Sequence, residues 1–201
     1  MKVILVSGKL QSGKNTFTDF LIDEVKKTNT IDFEFFAKPL KDECKDVFQN
    51  LTNYLNGIST RFNIPELSTT NEQWYENKNE ITRLLLQIYG TEIFRNKVDT
   101  DWWAKKLKDR VLQRKEDFIV ITDVRFKSEI NILDTLEHDH NIELVKIRIE
   151  RTNYTRDDNP IHTHQSEIDL DDYKYWDYVI KNDTTLDVLK SNAIQVSKEI
   201  M

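Results

Sequence analysis

Cysteine is nearly absent from this 201-residue chain. The single thiol, Cys44, excludes an intramolecular disulfide and fits a reducing compartment. Basic charge is also short: 29 Lys and Arg against 35 Asp and Glu leave a net charge of −6. That balance disfavours a protein that coats DNA or RNA, which would be basic. The N-terminal apolar stretch, residues 2–7, is too short to span a bilayer, and no small-residue cleavage site follows it. The expectation is a soluble cytoplasmic protein with neither membrane nor nucleic-acid polymer among its partners. Glycine is the most informative shortage, with 4 residues where average usage of about 7% gives roughly 14. Two of them, Gly8 and Gly13, share one six-residue window, so each is expected to serve a backbone need.

What is present suffices for one core under a heavily charged surface: 38% hydrophobic and 32% charged residues. Residues 2–7 read as a strand buried on both faces. Residues 15–27 follow with helical spacing of Phe17, Phe20, Leu21 and Val25. A second strand is predicted at 33–37, with Pro39 in the first turn of the next helix. Residues 57–70 read as a loop around Gly57 and Pro65. A helix over 71–89 is predicted to end at Gly90 as its C-cap, and another helix covers 101–112. Strands are predicted at 118–122, 143–149 and 178–180, with a helix over 127–136. The last helix carries a stripe of Leu186, Leu189, Ala193, Val196 and Ile200, with Thr184 and Asp187 spaced as a capping box. Strands alternating with helices predict an α/β fold, a parallel sheet with helices on both faces.

Gly8-Lys-Leu-Gln-Ser-Gly13-Lys14 matches the phosphate-loop pattern, between a buried strand and a helix as that pattern requires. Its glycines let backbone N–H groups turn toward phosphate oxygens, the helix N-terminus adds partial positive charge, and Lys14 adds a full one. The position after the lysine, usually a Ser or Thr that ligates Mg²⁺, is Asn15, and Thr16 follows. Asn15 can still offer a carbonyl oxygen to the metal. Asp123 closes the strand at 118–122, at the sheet edge where ligands of open parallel sheets gather, and its alternative reading is a cap for the next helix. Arg83 and Gln87 lie one turn apart on a predicted helix, able to meet an anion and a base, or to form a surface ion pair. His162 and His164 lack the further ligands of a closed zinc site. Trp102 and Trp103 are candidates for base stacking or for packing. Residues 169–178 read as a solvated acidic and aromatic loop.

Beyond the loop, the chain resembles the deoxynucleoside monophosphate kinases of large DNA phages, within the phosphate-loop nucleoside monophosphate kinases. The likeness rests on Phe36-Ala-Lys-Pro-Leu-Lys41, Arg83-Leu-Leu-Leu-Gln87 with Gly90-Thr-Glu92, and Asp101-Trp-Trp103. It continues through Asp123-Val-Arg125 with Glu129, His164-Gln-Ser-Glu167 and Ile180-Lys-Asn-Asp183. The resemblance implies transfer of the γ-phosphoryl of ATP to a deoxynucleoside monophosphate, with Mg²⁺. It implies a core of residues 1–35 and 118–201, an acceptor-binding region at 36–117, and a lid at 151–167. Gly8, Ser12, Gly13, Lys14, Asn15, Thr16, Asn182 and Asp183 would then contact ATP, with the metal near Asn15, Thr16 and Asp123. Leu10, Lys41, Arg83, Gln87, Gly90, Thr91, Trp102, Asp123, Arg125 and Glu129 would hold the acceptor. Lys14, Arg125, and the lid residues Arg151 and Arg156 would stabilise charge on the transferred group, with Arg148 in support.

Two alternatives stay open at this stage. Animal-type phosphomevalonate kinases share several of these features, and a non-catalytic nucleotide switch needs the loop alone. No apolar stripe marks an oligomer interface, which leaves a homodimer open.

Overall fold

A computed structural model of the chain describes residues 1–63, 86, 88–152 and 165–201. The chain divides into two compact units, Met1–Phe36 with Leu107–Met201, and Ala37–Lys106.

The first unit is an α/β layer structure on a five-stranded sheet of order β2-β3-β1-β4-β5. Its strands are β1 (Lys2–Gly8), β2 (Ile31–Glu34), β3 (Phe118–Val124), β4 (Glu143–Glu150) and β5 (Tyr178–Lys181). Every pairing is parallel, with β1 in the middle between β3 and β4. A central strand buried on both faces must be apolar at consecutive positions, and Val3, Ile4, Leu5 and Val6 are all 0% exposed. On one face, α1 (Lys14–Val25) and the C-terminal helix (Leu186–Ile200) bury Phe17, Leu21, Val25, Leu189, Ala193, Val196 and Ile200 against Ile4, Val6, Val145 and Ile147. The alternate positions Val3, Leu5, Ile119 and Ile121 point the other way and are equally buried. The helix Lys127–His140 buries Ile130, Leu133 and Leu136.

The second unit contains α2 (Ala37–Phe62), a wide-wound π-helical stretch (Ile88–Val98) and the first turn of α3 (Trp102–Leu112). Fully buried Cys44 is surrounded by Leu40, Leu86 and Tyr89. Numbered onward in chain order, Lys127–His140 is α4, Gln165–Ile168 is α5 and Leu186–Ile200 is α6. Among the described residues, no helix is long and apolar enough to cross a membrane.

Several local expectations are corrected. The second strand is Ile31–Glu34 rather than 33–37, because pairing of Ile31 with Phe118 sets the register and leaves Phe33 56% exposed. Helix α2 runs through Gly57 to Phe62, so residues 57–62 are not a loop; one glycine weakens a helix interior by only about 1 kcal/mol, too little to end this 26-residue helix. Gly90 is not a terminus but lies inside the π-helical stretch. In α6, Leu186 is 60% exposed and falls outside the buried stripe. The N-cap there is Thr185, with no side-chain cap, so the box of Thr184 and Asp187 does not form. The helix expected at 71–89 falls mostly outside the described residues.

Candidate active site

Parallel strands deliver their C-terminal ends to one edge, and here four of those ends carry polar loops. After β1, the turn between Gly8 and Lys14 closes with Ser12 N–H donating to the Lys9 carbonyl at 3.1 Å. Gly13 has φ of +89°, the left-handed region, and a Cβ there would stand 2.3 Å from Asn182 Nδ2. A Cβ on Gly8 would stand 2.4 Å from Ser12 Oγ and 2.9 Å from the Ile149 carbonyl oxygen. Both glycines are therefore required by close approach, and Gly13 also by its backbone angle. Asn182 Nδ2 donates to the Ser12 carbonyl at 2.9 Å, which ties the turn after β5 to this loop. Ser12 is 3% exposed, and its hydroxyl has no partner among the described residues. Lys14 opens α1 half-buried, Thr16 is half-buried, and Asn15 is exposed.

The outer arm of the loop is held by carboxylates. Glu167 Oε2 accepts from the Leu10 N–H at 2.8 Å, and its Oε1 pairs with Arg125 Nη1. Asp171 Oδ2 pairs with Lys9 Nζ at 2.5 Å, and its Oδ1 lies 3.4 Å from Arg148 Nη2. Arg148, 7% exposed, donates to Ser7 Oγ at 2.9 Å, and Ser7 donates to the Val124 carbonyl at 2.9 Å. The Arg148 guanidinium also lies 5.7 Å from the Trp176 ring centre. Of residues 169–178, read as a solvated loop, Asp171, Asp172, Lys174, Tyr175 and Asp177 are exposed, while Leu170 is 3% exposed and Asp171 is engaged with Lys9 and Arg148.

The β3 end is pinned too. Asp123 Oδ1 accepts from the Phe36 N–H at 2.8 Å, so it ties down the chain after β2. Glu129 caps the start of α4, accepting from the N–H groups of Arg125 at 2.8 Å and Phe126 at 3.0 Å. After β4, Asp183 accepts from the Thr152 N–H at 2.6 Å and from its hydroxyl at 2.7 Å, which anchors the exposed Arg151 next door. The loop after β1 and the end of β4 border a cavity of about 510 Å³ whose lining includes Lys9 to Ser12, Arg148 to Thr152, Asp171, Tyr173, Lys174 and Trp176. Burial is the main cause holding the Tyr173 phenol above its ordinary value of 10.0.

Of the candidates in the other unit, Lys41 is half-buried, Thr91 is exposed and Gly90 is buried, its carbonyl accepting from Trp103 Nε1 at 2.9 Å. Trp102 packs 5.2 Å from Phe94, and Lys106 Nζ lies 5.2 Å from the Trp102 ring centre. Arg83, Gln87, Arg156, His162 and His164 lie outside the described residues. No cluster of three metal-binding side chains occurs among the described residues.

Sequence reasoning gave no role to Ser7, Lys9, Glu167, Asp171 or Trp176. Glu167 belongs to a quoted motif, but nothing in its spacing signals two partners more than forty residues away.

A sequence profile described as "Deoxynucleotide monophosphate kinase" matches residues 58–193. A protein of Acanthamoeba polyphaga mimivirus, described as "Putative deoxynucleotide monophosphate kinase", is 27% identical over 205 residues, which cover 96% of this chain and 95% of that protein. Among solved structures, APE1195 superimposes with a TM-score of 0.51 at 13% identity, covering 99% of this chain and 96% of that one. An APS kinase of Mycobacterium tuberculosis reaches a TM-score of 0.46 at 12% identity, over 98% of this chain and 96% of that one. At such identities the likeness to APE1195 speaks to the fold alone.

Proposed function

Because the chain belongs to the deoxynucleotide monophosphate kinase family, we propose that it transfers the γ-phosphoryl group of ATP to a deoxynucleoside monophosphate, giving ADP and the deoxynucleoside diphosphate. The observation that carries this reading is the loop itself. Two glycines leave no room for a Cβ, and the buried Ser12 hydroxyl has no partner among the described residues. A hydroxyl so placed is suited to donate to a phosphate oxygen, beside inward-turned N–H groups and the Lys14 ammonium.

In the proposed reaction an acceptor phosphate oxygen bonds to the γ-phosphorus while the bond to the β–γ bridging oxygen breaks. No strong general base is needed, since the second pKa of a phosphate monoester, about 6, leaves the acceptor ionised at neutral pH. The protein's task is to align two anions and neutralise their charge. Lys14 bridges the donor phosphates, and Asn182 and Asp183 border the adenine. Arg151 and Arg156 reach the transferring group, and Arg125 reaches the acceptor phosphate. Lys41, Arg83, Gln87, Gly90, Thr91 and Trp102 hold the rest of the acceptor, with Leu10, Asp123 and Glu129.

The donors proposed for Mg²⁺ are the Asn15 carbonyl, the Thr16 hydroxyl and the Asp123 carboxylate. All are hard oxygen donors, and one carboxylate suits an ion that keeps water and phosphate ligands. When bound, Mg²⁺ supplies neutralisation of charge on the donor phosphates.

The test is ADP release with Mg²⁺-ATP and a panel of deoxynucleoside monophosphates, their ribose counterparts and phosphomevalonate. Turnover with deoxynucleotides is expected and gives the base preference directly. Turnover on phosphomevalonate alone would move the substrate class. Tight ATP binding with silence on every acceptor would identify a nucleotide-binding switch.

A further inference from the structure

We infer that Glu167 is a positioning residue for the proposed transfer, presetting the loop's outer arm and aiming Arg125 at the anion site. The inference rests on the kinase reading and adds to it a residue that the reading leaves unused.

The side chain of Glu167 is 5% exposed. A carboxylate taken out of water is tolerated only when its oxygens are engaged, and here each has a separate task. Oε2 accepts from the Leu10 N–H, and Oε1 pairs with Arg125. In a phosphate loop, outward N–H groups are donors looking for an anion. A carboxylate already on Leu10 fixes that arm before any ligand arrives, so less reorganisation remains at the moment of reaction.

Arg125 is then held at both ends. Its backbone N–H donates to Glu129 at 2.8 Å, and its guanidinium is paired to Glu167 while its side chain keeps 35% exposure. A guanidinium has five N–H donors, so one carboxylate oxygen fixes its direction and leaves others for a phosphate. Glu167 itself is set by packing: Leu170, three residues on, is 3% exposed. The Lys9–Asp171 pair adds a second tie between the same two segments.

A bare structural pin would also hold two segments together, and a double-mutant cycle separates the readings. Glu167→Gln keeps an oxygen for the Leu10 N–H but removes the charge facing Arg125; Glu167→Ala removes both. With a deoxynucleotide acceptor, Glu167→Gln is expected to lower kcat about 10- to 100-fold, with Tm close to wild type. Arg125→Gln should do the same, and the double variant should be no worse than Arg125→Gln alone. Additive losses, or wild-type kcat in Glu167→Gln, would overturn the inference.

Inorganic pyrophosphate, titrated calorimetrically into the same proteins, reads the coupling without an acceptor. A wild-type protein silent on every deoxynucleotide sinks the kinase reading. The pyrophosphate cycle then decides: non-additive weakening supports Glu167 acting through Arg125, and additive weakening or none refutes it.

Discussion

In the unit formed by Met1–Phe36 and Leu107–Met201, charged groups are buried and answered. Glu34 is 0% exposed and meets Arg110 and Arg114, Arg148 meets Ser7 and Asp171, and Glu167 meets Leu10 and Arg125. In Ala37–Lys106 the described interior is a small cluster at Cys44 and a group of rings, with Tyr89, Phe94, Trp102 and Trp103 at centroid distances of 4.8 to 6.3 Å. The first unit adds directional bonds at a sheet edge to its apolar core, while the described interior of the second rests mainly on contact between apolar surfaces. Directional bonds fix atoms tightly and tolerate little substitution. Ring and aliphatic contacts tolerate more.

The sharpest way to break this contrast is Lys14→Ala. Turnover should fall by about 10³-fold, the scale of a charge aimed at a transferring phosphoryl group, with an unchanged Tm; near-normal turnover would remove the first unit's claim to the chemistry. Next, Leu21→Ala in the sheet core should cost about 2–5 kcal/mol in denaturant unfolding. Gly13→Ala should cost about 1–2 kcal/mol for the left-handed backbone alone, and should weaken ATP binding as Asn182 is pushed away. In the second unit, Trp103→Phe loses its bond to Gly90 and should cost about 1 kcal/mol. If it matches Leu21→Ala, the two interiors are not different in kind.

The smallest effect concerns Cys44. Burial, with a lesser push from Glu43, raises its thiol from 9.0 to about 12. The fold favours the neutral form, so its contribution to stability is complete below pH 9.0 and declines as pH rises toward about 12. Native protein should resist alkylation at pH 8.5, and labelling at the rate of unfolded chain would contradict the buried placement.

How far these features were legible follows the same division. The run from Val3 to Val6, the glycines at 8 and 13, and the stripe from Leu189 to Ile200 announce themselves, because sheet burial and tight turns constrain neighbouring positions in sequence. The carboxylates on the loop do not. Glu167 and Leu10 are 157 residues apart, and Asp171 sits in a run of acids and aromatics that resembles any solvated loop. The π-helical stretch at Ile88–Val98 hides because its winding departs from the period by which helices are recognised. Gly57 misled for the opposite reason: one glycine costs a helix interior only about 1 kcal/mol, which the rest of a 26-residue helix outweighs.

The central position of β1 also has a consequence for the chain as it is made. Its neighbour β3 pairs with it only after the ribosome has synthesised everything between, and the Ser7–Val124 bond spans 117 residues. At about 5–20 residues per second, the wait is on the order of ten seconds. Throughout that interval an apolar strand and an unfinished phosphate loop stand without partners, so nascent chains stalled before Val124 should be the form that chaperones hold.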